Sequence, residues 1–476
     1  MAGETHEQGG IGPEPEPRIP ALSRVAIACL ALPAALIAVL QLGRLHPDEV
    51  YQALEPAHFL VFGKGWISWE WEQGLRNWAL PGAFSYLLEA CRALGIKDPQ
   101  LRRAVLELPQ YALHAASLVA VYRLIRRRAG EAVHEAWLLF GVALIALYAP
   151  VLHYAGRTLS ESISTSFLLW GLERADARGL RTRDYVLAGG LVGLAVVVRY
   201  GSAVIAIAAL LYLVATRRRR DALYVALGGA VVAVLLGALD AASWGEPFHS
   251  LRAYLGYNVF SGKAAKAFGK EPASFYGWWL LKAPPLWFWP AAALGIFHAS
   301  KRRAIASGLL VACALGYLLA IFVTPHKEER FLYPALVLLL AGVLPVLIAA
   351  LVALPRWAGS LALVLSLASG LVLLAYPKTR FSPRATEQFR LFVKGVRTGK
   401  GIVITKSGKW GAPGYFYAAG HPWRLCDTPD DDCTLHMLKS KKYNRVVGFQ
   451  RDGAAALRER GFDILEEQGD YTLWGR

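Results

Sequence analysis

The feature that most constrains this chain is a succession of apolar runs long enough to cross a lipid bilayer. A membrane-spanning helix needs about 20 residues, and such runs follow one another from residue 22 to residue 376. Only 18% of the residues are charged, whereas a soluble chain carries about a quarter. The sequence therefore predicts a mainly α-helical, polytopic membrane protein. The eleven predicted spans are 22–43, 104–124, 136–152, 158–172, 184–198, 201–216, 222–242, 276–298, 304–324, 331–353 and 358–376.

Basic loops predict how these spans are oriented. Four arginine- and lysine-rich loops separate apolar runs, at 126–128, 174–183, 217–220 and 301–303. With eleven spans all four lie on the side of the N-terminus, which the positive-inside rule makes cytoplasmic. Because this arrangement explains the net charge of +17, we expect no nucleic-acid partner. The non-cytoplasmic face then receives the loops at 46–81, 153–161, 199–201, 244–272 and 325–334.

Both ends of the chain differ from the membrane region at 21–376. Residues 1–20 are rich in Gly, Pro and Glu, so we expect a disordered cytoplasmic tail and not a signal peptide. Residues 377–476 alternate strand-like and helix-like stretches, which predicts a small extracytoplasmic α/β domain. Its expected strands are 401–408 and 444–450, and its expected helices are 387–396 and 454–461.

Cysteine use leaves one question open. Cys29, Cys91 and Cys313 lie in or near apolar runs, where cysteines pack as small apolar side chains. Cys426 and Cys433 lie in the polar C-terminal region, where both a disulfide and two free thiols are open interpretations. The Cys and His spacings do not resemble a zinc site, so we expect no zinc ion, and we expect no other cofactor.

The first extracytoplasmic loop, at 45–100, contains the richest set of candidate functional residues. Asp48 and Glu49 directly follow the first span. An acid in a partly apolar cleft can act as a general base toward a hydroxyl, although acids of a charged loop are often simply solvated. The nearby tryptophans at 66, 69 and 71 suit a stacking platform for a sugar, a wall for a lipid chain or an interfacial belt. Helical spacing at 48–63 and 81–95 predicts two amphipathic helices on the membrane surface.

A second charged stretch, PHKEERFLYP, lies between two late apolar runs at 325–334. Arg330 and Lys327 suit a phosphate, since arginine binds it as a bidentate fork and lysine as a point charge. His326 is a further donor, and Glu328 and Glu329 would orient the cations. The alternative is an anchor to lipid headgroups. That alternative is weaker because basic anchors collect on the cytoplasmic side.

Two isolated arginines, Arg157 and Arg199, lie beside apolar runs. An unpaired arginine in a membrane costs about 2.5–3.5 kcal/mol, so each needs an acidic partner or an anionic ligand. Glu161 lies one helical turn from Arg157 and would satisfy it structurally. Asp240 and Asn258 supply further polar groups on the same predicted face.

Together these stretches resemble glycosyltransferase family 22 of the GT-C superfamily, which includes the α-mannosyltransferases of GPI-anchor and N-glycan synthesis. HPDEVYQALEPAHFLVFGKGWISWEW resembles the first lumenal loop of that family, and HKEERFLYP resembles its second signature. GRTLSES and DAASWGEPFHSLRAYLGYNVFSG, the latter followed by SFYGWW, are similar to two looser family stretches. The family often has proline after its mid-chain arginine, whereas Tyr200 follows Arg199 here.

The resemblance implies a GT-C enzyme whose donor is a hexose, most often mannose, on polyprenyl or dolichyl phosphate. It also implies transfer with inversion to a glycan or glycolipid hydroxyl, on the non-cytoplasmic face and without a required metal. Asp48 is the first candidate for the base and Glu49 the second. The candidate residues for the donor phosphate are His326, Lys327, Arg330 and Arg157. The candidate substrate-binding residues are His46, Trp69, Glu70, Arg76, Glu161, Arg199, Asp240, Asn258, Glu328 and Glu329.

Composition and loop placement bear on location and on rival functions. The alanine- and arginine-rich composition is more typical of bacteria, so we expect an inner-membrane protein with its site facing the periplasm. In a eukaryotic cell the site would face the ER lumen. A flippase for lipid-linked sugars is the alternative function, but transporters place polar groups near the bilayer midplane and not in loops at one face. A membrane scaffold for the C-terminal domain would not explain both charged stretches.

Overall fold

The computed structural model describes residues 18–301, 305–372, 383–408 and 410–476. The first half of the membrane region contains α1 (Ala21–Leu40), α2 (Glu55–Phe62), α3 (Trp69–Glu72), α4 (Ala79–Ala93), α5 (Pro99–Ala129), α6 (Glu135–Ala146), α7 (Ala149–Tyr154), α8 (Ser160–Asp176) and α9 (Thr182–Val198). The second half contains α10 (Ala203–Ala215), α11 (Arg219–Trp244), α12 (His249–Leu255), α13 (Lys263–Phe268), α14 (Ser274–Lys282), α15 (Phe288–Ser300), α16 (Gly308–Val323), α17 (Tyr333–Val352) and α18 (Arg356–Leu371). Short π-helical turns form at Glu49–Leu54 and Gly256–Phe260, and 3₁₀ turns at Tyr200–Ser202 and Glu329–Leu332.

The structure confirms a multi-pass helical membrane region. By length and composition, four helices can cross a membrane: Ala21–Leu40, Pro99–Ala129, Arg219–Trp244 and Glu329–Val352. Shorter apolar helices cover Glu135–Ala146, Tyr200–Ala215, Gly308–Val323 and Arg356–Leu371. The count of eleven spans stays a prediction. The tail before residue 18, part of the 301–303 loop, the start of the 304–324 span and the end of the 358–376 span lie outside the described residues.

Two predicted spans are each divided into two helices. The span at 136–152 breaks between α6 and α7, where Pro150 lies in the first turn of the new helix. The span at 276–298 breaks between α14 and α15, at Pro284 and Pro285. Proline has no backbone N–H and cannot continue a helical hydrogen-bond ladder. Apolar periodicity alone did not reveal these breaks.

Helix α17 is the centre of the bundle, and α11 lies at its outside. Residues 333–348 of α17 are all buried, since the helix packs against α5, α6, α8, α15 and α16. A helix that is apolar on every face belongs in such a position. In contrast, α11 leaves Leu223, Val234 and Leu235 exposed, as a helix beside lipid does. It lies so close to α9 that a Cβ at Gly228 would collide with the carbonyl oxygen of Val186.

The C-terminal region is a small α/β domain, as predicted. It contains α19 (Thr386–Thr398), α20 (Gly414–Ala418), α21 (Asp432–Lys439), α22 (Ala454–Arg458), β1 (Ile402–Ile404), β2 (Trp423–Leu425), β3 (Arg445–Phe449), β4 (Asp463–Gln468) and β5 (Tyr471–Gly475). The strand order is β2-β1-β3-β5-β4, with β1 parallel to both neighbours and β5 antiparallel to both of its own. The prediction missed β2, β4, β5, α20 and α21. A disulfide joins Cys426 to Cys433, which answers the question that the sequence left open.

In the first loop, residues 49–58 are largely buried by other parts of the protein. The two expected helices are present, as the turn at Glu49–Leu54 continuing into α2, and as α4. The apolar side chains of the first one pack into a cluster shared with α4 and the C-terminal domain. That cluster includes Val50, Leu54, Ala57, Phe84, Phe389, Phe392 and Phe416. The domain therefore rests on the helical stretch that follows Asp48.

Candidate active site

Asp48 lies directly before the π-helical turn at Glu49–Leu54, in the segment that connects α1 to α2. Its Oδ2 is 2.6 Å from Nη1 of Arg330, and its Oδ1 is 3.0 Å from Nδ1 of His46. The side chain keeps 18% of its surface exposed. The two charged stretches singled out in the sequence therefore meet at an acid that a substrate can reach.

Arg330 is the centre of this cluster. Besides Asp48, its guanidinium contacts Glu328 (Nε to Oε2, 2.5 Å) and Glu161 (Nη1 to Oε1, 3.5 Å). It also lies 5.1 Å from the centre of the Phe331 ring, within the range of a cation–π contact. One arginine thus holds carboxylates from three loops that are distant in sequence.

Arg199 extends the cluster through Glu161. Glu161, fully buried at the start of α8, accepts a hydrogen bond of 2.7 Å from Nη1 of Arg199. Arg199 stacks on Phe331 from 4.9 Å. Two arginines therefore share one carboxylate and one aromatic ring. Glu161 pairs with Arg199 and Arg330, and not with the sequence neighbour Arg157 that the helical spacing suggested.

The charges around Asp48 determine its ionisation. Burial disfavours a carboxylate, but Arg330 and then His46 outweigh burial and hold the pKa of Asp48 well below its usual value. The pKa of Glu328 is lowered in the same way, because Arg330, His326 and His46 outweigh the cost of its burial. Both acids are therefore ionised at neutral pH.

Glu49 and Arg157 form a separate frame beside the cluster. Oε1 of Glu49 accepts hydrogen bonds from the backbone N–H groups of Leu45 and His46, the second at 3.3 Å. Its Oε2 lies 3.9 Å from Nη1 of Arg157, and both side chains are buried. Arg157 also donates to the carbonyl oxygens of residues 43 and 41, at 2.8 and 3.1 Å. These contacts fix the chain between α1 and Asp48.

The other members of PHKEERFLYP have different positions. Nε2 of His326 is 3.0 Å from Oε1 of Glu328, whose Oε2 is 3.5 Å from Nε2 of His46. Lys327 donates to the carbonyl oxygen of Thr324 at the end of α16. Glu329 is buried in the 3₁₀ turn. Of the four residues predicted to bind the donor phosphate, Arg330 is the one that pairs with Asp48.

An aromatic row leads away from the cluster toward a cavity. The Trp69 ring lies 5.0 Å from Tyr257 and 5.9 Å from Phe268, and Phe268 lies 5.5 Å from His326. Beside Tyr257 is a cavity of about 350 Å³, lined also by Gln73, Ser261 and Lys263. Within the same region Glu70 accepts from Gln52 at 2.8 Å and pairs with Arg76 at 2.7 Å. Stacking faces beside polar groups suit a sugar.

Asp240 and Asn258 support the loop after α11 and lie outside the Asp48 cluster. Oδ2 of Asp240 accepts from the backbone N–H (2.9 Å) and the hydroxyl (2.6 Å) of Ser250. Asn258 donates to the carbonyl oxygen of Tyr254. Sequence reasoning missed Tyr276, whose hydroxyl donates to the Glu328 carbonyl (3.1 Å) and accepts from its N–H (3.2 Å). It also missed Phe331 and Gln52, although all three lie in or beside the quoted stretches.

Among the described residues, a group with candidate metal-ligand atoms within 4.8 Å of one another is formed by Cys426, Asp431 and Cys433. The disulfide means that neither sulfur is a thiolate ligand. The expectation that catalysis needs no metal stays a prediction.

Among solved structures, the crystal structure of ArnT from Cupriavidus metallidurans bound to undecaprenyl phosphate is similar to this chain. The TM-score is 0.57 at 14% sequence identity, and the match covers 94% of this chain and 97% of that one. At this identity the likeness concerns the fold alone. It confirms the GT-C fold expected from the sequence resemblance.

Two curated relatives match about three fifths of this chain. GPI mannosyltransferase 3 of Yarrowia lipolytica is 27% identical over 294 residues, which are 60% of this chain and 55% of that protein. GPI alpha-1,2-mannosyltransferase 3 of Mus musculus is 29% identical over 299 residues, 61% and 52% of the two chains. The chain thus spans about half the length of these relatives. The model of the Alg9-like mannosyltransferase family matches residues 25–389, which include the whole Asp48 cluster. The chain therefore belongs to the Alg9-like mannosyltransferase family.

Proposed function

We propose that the chain transfers mannose from a polyprenyl- or dolichyl-phosphate-linked donor to a glycan or glycolipid hydroxyl, with inversion. The observation that carries this proposal is the 2.6 Å contact between Asp48 and Arg330, which places an ionised acid beside a cation suited to phosphate. The names of the relatives support mannose, and the lipid in the ArnT structure supports a polyprenyl phosphate.

Asp48 is the general base in this mechanism. The acceptor hydroxyl lies between its carboxylate and the anomeric carbon of the donor, and the carboxylate takes the hydroxyl proton as the glycosidic bond forms. Without donor, Arg330 pairs with Asp48 and lowers its basicity. A donor phosphate at Arg330 shares that cation, so the pKa of Asp48 rises when substrate is present.

Arg330 and Arg199 stabilise the leaving lipid phosphate. Both lie on the Phe331 ring and share Glu161, so their positions are set before the donor arrives. Such preorganised charge is worth most at the atom where negative charge develops. The aromatic row beside Trp69 is the proposed site for the acceptor sugar. We place the cluster on the non-cytoplasmic face, in bacteria the periplasmic side of the inner membrane, because the positive-inside rule puts the basic loops opposite.

The test is sugar transfer from synthetic polyprenyl-phosphate mannose by purified wild-type protein and by Asp48→Asn, with a membrane extract as acceptor pool. We expect a labelled product from wild type and at least about 10²-fold less from the variant. Thermal unfolding of both proteins controls for folding. If wild type transfers nothing but moves the donor between leaflets, a flippase is supported and the proposal is wrong. If it does neither, mannose is the wrong donor sugar.

A further inference from the structure

The C-terminal domain contacts the helical stretch that follows Asp48. The Tyr51 hydroxyl donates to the carbonyl oxygen of Ala412 at 2.9 Å, and its ring meets the Trp410 ring edge-on at 5.3 Å. Arg44 donates to the Trp410 carbonyl oxygen at 2.6 Å. Residues 390–476 lie beyond the part of the chain that the family model matches. This contact therefore joins a family segment to a region for which the family offers no role.

Glu55 is the innermost residue of that contact. Its side chain is fully buried in the first turn of α2. Oε1 accepts a hydrogen bond of 2.8 Å from the backbone N–H of Phe416, in the C-terminal domain. Oε2 accepts one of 2.7 Å from the backbone N–H of Trp66, in the tryptophan-rich segment. One carboxyl group thus holds two separate segments to the stretch that carries Asp48.

These hydrogen bonds are the main compensation for burying the Glu55 carboxyl. In the described part of the chain, no Lys, Arg or His forms an ion pair with it. The charged or titratable groups that face it are Tyr51 and Tyr417. A buried carboxylate without a cation is costly, and a lost hydrogen bond to it leaves that cost uncompensated. The backbone N–H groups of Phe416 and Trp66 therefore have to stay in place to stabilise the buried Glu55 carboxylate.

Two glycines allow this close approach. Gly414 has φ +82°, a conformation that favours glycine, and a Cβ there would collide with the Glu55 carboxyl. A Cβ at Gly65 would collide with the Glu55 carbonyl oxygen and with Phe59. Both segments thus come nearer to Glu55 than residues with a side chain would permit. At Gly414 the close approach is to the Glu55 carboxyl group itself, and at Gly65 it is to the backbone of α2.

We propose that Glu55 is a positioning residue that holds the C-terminal domain and the tryptophan-rich segment against the stretch bearing Asp48, and that sugar transfer depends on it. The part that concerns transfer rests on the proposed function. Asp48 directly precedes the turn that leads into α2, so movement of this stretch moves the base relative to Arg330. A misplacement of about 1 Å can lower a rate about 10²-fold.

The experiment compares Glu55→Gln with Asp98→Asn in the full-length protein. Glutamine has the size of glutamate, but its amide nitrogen cannot accept a hydrogen bond, so one of the two bonds is lost. Asp98 is a matched control because it also joins the membrane region to the C-terminal domain, through Nη2 of Arg397 at 2.9 Å, at an exposed site. The first measurement is hydrogen exchange at the amides of Trp66 and Phe416. The second is kcat and donor KM.

We expect exchange at one or both amides to rise about 10-fold in Glu55→Gln and not in Asp98→Asn. We expect kcat of Glu55→Gln to fall about 10- to 10²-fold with donor KM little changed. Unchanged exchange, or faster exchange with unchanged kcat, would overturn the proposal. If Glu55→Gln does not fold, Gly414→Ala displaces the same carboxyl from the domain side and carries the same expectation. If wild type transfers no sugar, the proposed donor is wrong. Hydrogen exchange would still show whether Glu55 holds the amides of Trp66 and Phe416.

Discussion

Asp48 and Glu49 are neighbours in sequence but have different environments. Asp48 is 18% exposed and pairs with Arg330, whereas Glu49 is 5% exposed and pairs with Arg157 and the backbone before it. Successive residues at a helix start point about 100° apart, so one step along the chain leads from an open cluster to a closed frame. An acidic pair in a motif therefore need not be a catalytic pair. What distinguishes the two acids is whether the partner arginine can also reach a ligand.

The strongest test of this difference is to neutralise each acid in turn. We expect Asp48→Asn to lower kcat about 10²- to 10⁴-fold, because it removes the general base. Glu49→Gln keeps the base and should retain most of the rate of transfer from polyprenyl-phosphate mannose. Both rates are measured at saturating donor. Equal losses in the two variants would mean that the acids act as one unit.

Arg330 and Arg157, the arginines that pair with Asp48 and Glu49, provide a matched pair for the second test. Arg330→Lys keeps a positive charge among three acids but loses the fork that binds phosphate, so kcat/KM for the donor should fall about 10²- to 10³-fold. Arg157→Lys should leave donor KM unchanged, since Arg157 contacts backbone carbonyls and Glu49. Donor titrations of both variants measure this. A raised donor KM in Arg157→Lys instead would restore Arg157 as a phosphate ligand.

Stability should show the opposite order. Glu49→Gln disturbs the hydrogen bonds of a buried carboxylate and leaves Arg157 without its acid, so we expect a loss of about 1–3 kcal/mol in the free energy of unfolding. Asp48→Asn leaves Arg330 paired with Glu328 and Glu161 and should change stability less. Thermal unfolding in detergent compares the two variants. If Glu49→Gln is more stable than wild type, the contacts between Glu49, Arg157 and the backbone do not stabilise the fold.

How much of this site could be predicted depended on whether the sequence pattern concerned charge placement or helical periodicity. Charge placement put Asp48, Arg199 and Arg330 on one predicted face, and the structure brings them into one cluster. Periodicity does not contain the direction of individual side chains, so helical spacing paired Arg157 with Glu161, whereas the structure pairs Arg157 with Glu49. The C-terminal strand β4 was missed because LEEQ has a helix-like composition. The pairing of β5 with β3 joins segments that are distant in sequence, which no local pattern contains.

A third acid in the same stretch, Glu55, should report through pH. Burial raises its pKa to about 7, against which the backbone hydrogen bonds act in the opposite sense. In an unfolded chain the pKa is about 4.3, so the folded protein binds the extra proton between these values. The contribution of this proton to the free energy of unfolding is complete below about pH 4.3 and is lost as pH rises through about 7. We therefore expect the melting temperature of wild type, relative to Glu55→Gln, to fall between about pH 4 and pH 7; a difference independent of pH would refute the shifted pKa.

The smallest expected effect concerns metal removal, and it returns to the Asp48 cluster. Each acid there has a positively charged neighbour from a side chain: Asp48 and Glu328 have Arg330, and Glu161 has Arg199. Side-chain cations can neutralise a leaving phosphate as a divalent ion would. We therefore expect EDTA to leave the transfer rate of wild type unchanged, with Mg²⁺ re-addition as the control. If EDTA abolishes transfer and Mg²⁺ restores it, Asp48 and Glu328 become candidate metal ligands, and the arginines lose the phosphate as their main role.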